Sequence, residues 1–207
     1  MVRHDCESSG QPVNLERLYG AHNRASALLG SDIEAGLIQF SDSIVFSRPF
    51  DLSSLAGFLA SVATWQRSLL LDGLLCRGGV TFGKHFVKER FLFSKALIDA
   101  YHLESTLARF PRIVVSEDLL QLAMPLVNDS ELPVVREEDG VVFLDYLTPD
   151  NSVTAAELVA AVDGLIKASS KSGPVVQEKL RWLARYSDYK LASGFSGNAF
   201  GSVGRDT

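Results

Sequence analysis

Cysteine is scarce: Cys6 and Cys76 are the only two in 207 residues, too few for a disulfide framework. No apolar run approaches the roughly 18 residues that a membrane span needs. The opening stretch MVRHDCESSGQ has no apolar signal core. Basic charge is not in excess either. Lys and Arg number 20 against 25 Asp and Glu, a net charge of -5, which argues against a broad nucleic-acid-binding face. A small basic pocket for one phosphorylated ligand remains compatible with that balance. No internal repeat is present. These absences make a soluble, cytoplasmic protein the expectation, without membrane or nucleic-acid partners.

What is there suits a globular chain: 46% hydrophobic and 22% charged residues, long enough to bury a core. Residues 14–29 carry apolar positions at helical spacing (Leu15, Leu18, Ala21 or His22, Ala25, Leu28 or Leu29), with Asn14 as N-cap and Gly30-Ser31 as stop. Residues 35–40 and 44–47 read as two strands around Ser41-Asp42-Ser43, a tight hairpin. Asp51 caps a helix with an apolar stripe at Leu52, Leu55, Phe58 or Leu59, Val62, Trp65 or Gln66 and Leu69, closed by Gly73. A strand over 75–83 follows. A helix over 94–108, with Leu97, Ala100, Leu103 and Leu107 inward, ends before Pro111. Residues 112–116 read as a strand and 117–123 as a short helix. Residues 134–135 and 141–145 pair around Glu138-Asp139-Gly140. Helices over 153–169 and 175–186 close the fold, the second with Val176, Leu180, Leu183 and Tyr186 on one side. The Gly- and Ser-rich stretch from Ser193 reads as a loose tail.

The order α-β-β-α-β-α-β-α-β-β-α-α makes the fold class α+β. Its middle is most of a ferredoxin-like βαββαβ unit without the opening strand. The expected organisation is a core over 1–150, a helical extension over 151–192 packed on it, and a tail over 193–207.

A hairpin with Asp at its turn, then a helix, then the strand Arg77-Gly78-Gly79-Val80-Thr81-Phe82-Gly83, resembles the class III nucleotidyl cyclase domain. The words FSDSIVFS, RGGVTFG, KALIDAYHLES followed by ARFPRIVVS, and KLRWLARY, in that order over about residues 36–190, are most similar to the bacterial pyrimidine cyclases of Pycsar anti-phage defence. The resemblance implies a ferredoxin-like core in a head-to-tail homodimer with two interfacial active sites. It implies conversion of UTP, or CTP, to a 3′,5′-cyclic monophosphate and pyrophosphate, with two Mg²⁺ or Mn²⁺ ions. The cyclic product would act on a separate effector.

Asp42 has two readings: a turn aspartate bonding its own backbone, or, by the resemblance, a ligand of a hard cation that favours carboxylate and carbonyl oxygens. Arg77 is either a surface-paired arginine or, at the family position, a catalytic cation near the phosphates, where a guanidinium makes forked contacts. Gly78 and Gly79 allow close backbone approach. Arg112 and Arg136 are further candidates for the triphosphate, each at a strand start where solvated ion pairs are common. Tyr101 is a candidate for the base pocket, with packing as its alternative. Ile98 and His102 stand where purine cyclases of the family carry Asn and Arg, so a purine cyclase is disfavoured; His102 reads as a surface or interface residue. Glu104 is expected to pair with Arg109 or Arg112, Lys84, Lys88 and Arg90 to form a solvated or phosphate-closing loop, and Trp182 and Tyr186 to pack.

The family's opening strand, bearing the first metal aspartate, should precede Asn14. MVRHDCESSGQPV holds no such strand, and the role is not transferred to Asp5. The expectation is either a chain that starts inside a longer protein or one that has lost a metal ligand. Two functions follow: a metal-dependent pyrimidine cyclase, or a catalytically inactive cyclase-like module that binds nucleotide and dimerises.

Overall fold

The computed structural model describes residues 13–29, 36–88, 91–123, 132–194 and 200–201. Asp5, Arg90, the Gly30-Ser31 stop and most of the tail lie outside them. The fold is α+β. Helix α1 (Val13–Leu29) is followed by strands β1 (Gly36–Phe40) and β2 (Ser43–Ser47), then by a 3-10 turn at Leu52–Ser54 and helix α2 (Leu55–Leu71). Strands β3 (Gly78–Val80), β4 (His85–Lys88) and β5 (Phe91–Ser94) lead to α3 (Lys95–Thr106) and β6 (Ile113–Val115). Helix α4 (Glu117–Ala123), strands β7 (Val134–Glu137) and β8 (Val142–Leu144), helices α5 (Ala155–Ala168) and α6 (Pro174–Leu191), and the short strand β9 (Phe200–Gly201) complete it.

Helix α2 is the centre. It buries Leu55, Leu59, Val62, Ala63, Trp65, Gln66, Arg67, Leu69 and Leu70, wider than one stripe. It has neighbours on several sides, and a helix so placed must be apolar most of the way round. Asp51 caps the turn before it, its side chain accepting from Ser53 N at 3.1 Å. On one side lies α1, where the Trp65 indole donates to the Ala21 carbonyl at 3.2 Å. Among the described side chains of the α1 stripe, Ala21 and Ala25 are buried while Leu15 and Leu28 are exposed, because small side chains suffice for this close contact. Helix α1 already includes Val13, so Asn14 lies in its first turn and is not its cap.

The main sheet has the order β3-β6-β8-β7-β9. Strands β3 and β6 are parallel, with Gly79 opposite Val114, and α3 lies between them in the chain. Strands β6, β8, β7 and β9 pair antiparallel in turn. The expected β7–β8 hairpin forms, turning through Gly140 at φ 81°. The tail is not wholly loose: Gly201 pairs with Arg136 at the sheet edge. The β1–β2 hairpin is a separate two-stranded sheet, as is β4–β5. Among the described residues no backbone pairing joins β1–β2 to the main sheet, so the α-β-β-α-β order is present with its strands in two sheets. The β4–β5 hairpin falls where a loop was expected, because Phe86, Leu92 and Phe93 supply strand-forming side chains between the lysines.

One hydrophobic cluster runs through α2, β6, β8, α5 and α6. Thr154 and Glu157 form a reciprocal capping box at the start of α5. Helix α6 runs five residues beyond the expected end at Tyr186, to Leu191. Its Trp182 and Tyr186 are packing residues as expected, fully buried, with ring contacts to Phe143 at 5.5 and 5.1 Å.

Candidate functional site

Gly36–Phe40 pairs with Ser43–Ser47 in full register, which leaves a two-residue turn, Ser41-Asp42. Ser41 takes φ 56°, a conformation that few side chains adopt comfortably. Phe46 anchors the hairpin on α2 through an edge-on contact with Trp65, ring centroids 5.3 Å apart. The tip therefore projects, and Asp42 is exposed there. The backbone bond that a turn aspartate would make is absent: among the described residues no hydrogen bond or ion pair engages Asp42. Exposure also removes the cost that a buried carboxylate would carry in an apolar run.

Arg77 is exposed on the approach to β3. It forms an ion pair with Glu104 and donates to the Ala108 carbonyl at 3.2 Å. Glu104 thus pairs with Arg77 rather than with Arg109 or Arg112; Arg109 pairs with Glu178 at 2.6 Å. The close approach at the Gly-Gly pair is made by the chain's own helix. A Cβ on Gly79 would stand 2.5 Å from the Ala100 carbonyl oxygen and 2.7 Å from Leu103 Cβ of α3.

Arg112 is 2% exposed. One terminal nitrogen pairs with Glu137; the other meets Asp139 at 2.8 Å and the Leu107 carbonyl at 2.9 Å. Its guanidinium also lies over the Phe110 ring at 5.5 Å. Trp182 Nε1 donates to Glu137 at 2.8 Å, and its indole stacks on Phe110 at 5.6 Å and 5°. Burial raises the Glu137 carboxyl above its ordinary value, against the pull of the Trp182 and Arg112 donors. Arg112 is thus the hub of a buried network that ties α6 to the sheet. Sequence reading missed this network. A signal was available in the alternation of β7, which puts Glu137 inward with Val135.

Arg136 is exposed beside that hub and donates to the Gly140 carbonyl at 3.1 Å. Tyr101, 64% exposed, and Ile98 and His102 share the outer face of α3. The fold therefore draws Arg77 and Arg112 together just past the C-terminal end of α3, where they donate to the Ala108 and Leu107 carbonyls and complement the helix dipole. Arg136 lies on the next hairpin. Asp42 forms no hydrogen bond or ion pair with Arg77, Arg112, Arg136 or Tyr101.

A hard cation at the hairpin tip would find the Asp42 carboxylate and neighbouring carbonyl oxygens. Among the described residues no group of three His, Cys, Asp or Glu side chains could hold a metal ion. The described donors therefore fall short of a two-ion centre. No helix among them is long and apolar enough to cross a membrane. Comparison with protein-family models, with curated proteins and with solved structures gives no match in any of the three.

Proposed function

We propose that the chain adopts a ferredoxin-like, class III cyclase-type core and works as a homodimeric pyrimidine nucleotide cyclase. In this reading UTP, or CTP, is converted to its 3′,5′-cyclic monophosphate and pyrophosphate, and the cyclic product signals to a separate effector in anti-phage defence. The cytoplasm is the compartment this reading requires. The observation that carries it is Asp42: a carboxylate exposed at the tip of a two-residue hairpin turn and engaged by no donor among the described residues. Two bound Mg²⁺ or Mn²⁺ ions would neutralise triphosphate charge. Their remaining donors must come from outside the described residues, from the second copy or from the nucleotide. Arg77 is the cation assigned to the reacting phosphates, and it must exchange Glu104 for them. Tyr101 and Arg136, both exposed, are assigned to the nucleotide. Arg112 can contribute only if its buried pairs with Glu137 and Asp139 open.

A second reading, the inactive nucleotide-binding and dimerisation module, draws on a different observation: Arg77 is already paired and the described carboxylates do not converge. Thermal unfolding with each of UTP, CTP, ATP and GTP in the presence of Mn²⁺ tests what the two readings share. A ligand bound only by the native state raises the melting temperature with its concentration. Both readings require a rise with a nucleotide, and the cyclase reading requires the rise with a pyrimidine triphosphate to exceed that with either purine. No shift with any nucleotide would sink both.

A further inference from the structure

Two arginine ion pairs flank the C-terminal end of α3, and they differ in how easily they open. The Arg112 side chain is 2% exposed and that of its partner Glu137 7%. Parting such a pair leaves buried charges without compensation and is costly. The Arg77 and Glu104 side chains are 38% and 26% exposed. At that exposure an ion pair stabilises little, because water replaces a lost partner. The cations that follow Glu104 in the chain are committed elsewhere, Arg109 to Glu178 and Arg112 to Glu137 and Asp139. Among the described residues, Arg77 is the cation left to Glu104.

Only side chains are free to move here. Gly78 N donates to the Arg112 carbonyl at 3.2 Å, and β3 is paired with β6 along its length. Helix α3 lies too close to Gly79 to admit a methyl group. Arg77 also donates to the Ala108 carbonyl at 3.2 Å, so two of the five guanidinium N–H groups are engaged by the helix and the turn after it. An anion arriving from solvent meets a compensated charge: Glu104 neutralises Arg77 and repels phosphate oxygens. The field of the pair reaches its neighbour. Burial first, then the Glu104 carboxylate, push the Cys76 thiol up to about 12, and Arg77 opposes them.

We propose that Glu104 is an autoinhibitory latch: it holds Arg77 off the phosphate site in the resting protein, and an incoming triphosphate releases it by taking over the guanidinium. The inference rests on the assignment of Arg77 to the reacting phosphates in the preceding section. A triphosphate offers several oxyanions to the guanidinium fork where Glu104 offers one carboxylate, so the exchange runs toward the nucleotide.

Titration calorimetry of the full chain with 3′-deoxy-UTP and 3′-deoxy-CTP in Mn²⁺ is the test, since these probes lack the hydroxyl that would close the ring. Glu104→Gln keeps the length of the side chain and removes its charge. It should bind the preferred probe about fivefold more tightly than the wild type, the upper range for a solvent-exposed pair. The gain should vanish in an Arg77→Gln background, because the double-mutant cycle isolates the pair. Glu104→Gln should also speed maleimide labelling of Cys76 at pH 8 in a Cys6→Ser background, as loss of the carboxylate makes the thiol more acidic. Probe affinity unchanged or weakened in Glu104→Gln overturns the latch and leaves the nucleotide reading standing. So does a gain that persists without Arg77, which would make Glu104 a diffuse repulsive charge. Unaltered Cys76 labelling denies the resting pair and overturns the latch as well. Binding of neither probe by either protein sinks the latch and the reading beneath it. Tighter binding by Glu104→Gln, without turnover of UTP or CTP, upholds the latch and sinks the cyclase.

Discussion

Gly79→Ala adds one methyl group where the fold has no room. The new Cβ would meet the Ala100 carbonyl oxygen at 2.5 Å and Leu103 Cβ at 2.7 Å, against an ordinary contact range of 3.4–4 Å. Neither neighbour is the free end of a flexible side chain. Helix α3 must therefore move off β3 by about an ångström, and overpacking of this kind costs about 1–3 kcal/mol. The loss of unfolded-chain entropy on replacing glycine returns about 0.4–1 kcal/mol of that. A net destabilisation of about 1–2 kcal/mol should lower the melting temperature by roughly 2–8 °C in a domain of this size. Gly57→Ala is the matched control. Gly57 lies exposed within α2, and its added Cβ would find nothing within 4 Å. Alanine is favoured there by about 1 kcal/mol through helix propensity. Differential scanning calorimetry of the two variants should give shifts of opposite sign. A Gly79→Ala protein as stable as the wild type would refute the packing of α3 on β3, and with it the structural explanation of the Arg77-Gly78-Gly79 word.

Trp182→Phe keeps the stack on Phe110 but removes the indole donor to buried Glu137; denaturant unfolding should show a loss of about 1–3 kcal/mol, and an unchanged midpoint would deny the network its role. Hydrogen bonds from the Ser152 hydroxyl and backbone, with Arg67 nearby, hold the Asp150 carboxyl down at about 2, below its usual 3.8. Its folded value is depressed, so its contribution is present above pH 3.8 and is lost as pH falls through 2. Asp150→Asn should therefore cost stability at neutral pH and progressively less through that window; a deficit independent of pH contradicts the assignment. Burial, reinforced by the Glu104 carboxylate, pushes the Cys76 thiol up to about 12. Cys76 is only partly buried, so in a Cys6→Ser background it should react with maleimide at pH 8 but markedly more slowly than in the unfolded chain, whereas labelling at the unfolded-chain rate would show that the thiol is not perturbed.

Local chemistry was legible in the sequence where a single short-range rule decides it. The tight hairpin around Asp42 (one residue shorter in its turn than the three expected), the Asp51 cap, the Gly140 turn and the end of α3 before Pro111 all follow from residues within a few positions of one another. Burial of Trp182 and Tyr186 followed from helical spacing. Long-range consequences were not legible. Arg112 read as a surface cation because Glu137, Asp139 and Trp182 approach it only through the fold. Arg109 and Arg112 lie nearer to Glu104 along the chain, yet the close packing of α3 on β3 selects the distant Arg77. The β4–β5 hairpin was hidden by its charge: lysines at positions 84 and 88 read as loop, although the alternating phenylalanines carry the strand period. Of the candidate site, Asp42, Tyr101 and Arg136 stand exposed, Arg77 is exposed but engaged, and Arg112 is buried.

Turnover tests the central proposal most directly. The purified chain, incubated with Mn²⁺ and each of UTP, CTP, ATP and GTP, is assayed for cyclic nucleotide and pyrophosphate beside an Asp42→Ala variant. That variant should fold as the wild type does, because the side chain is exposed and bonds to none of the described residues. The account predicts cyclic UMP or cyclic CMP from the wild type, and none from Asp42→Ala. No cyclic product from any nucleotide, or pyrimidine product undiminished in Asp42→Ala, would contradict it.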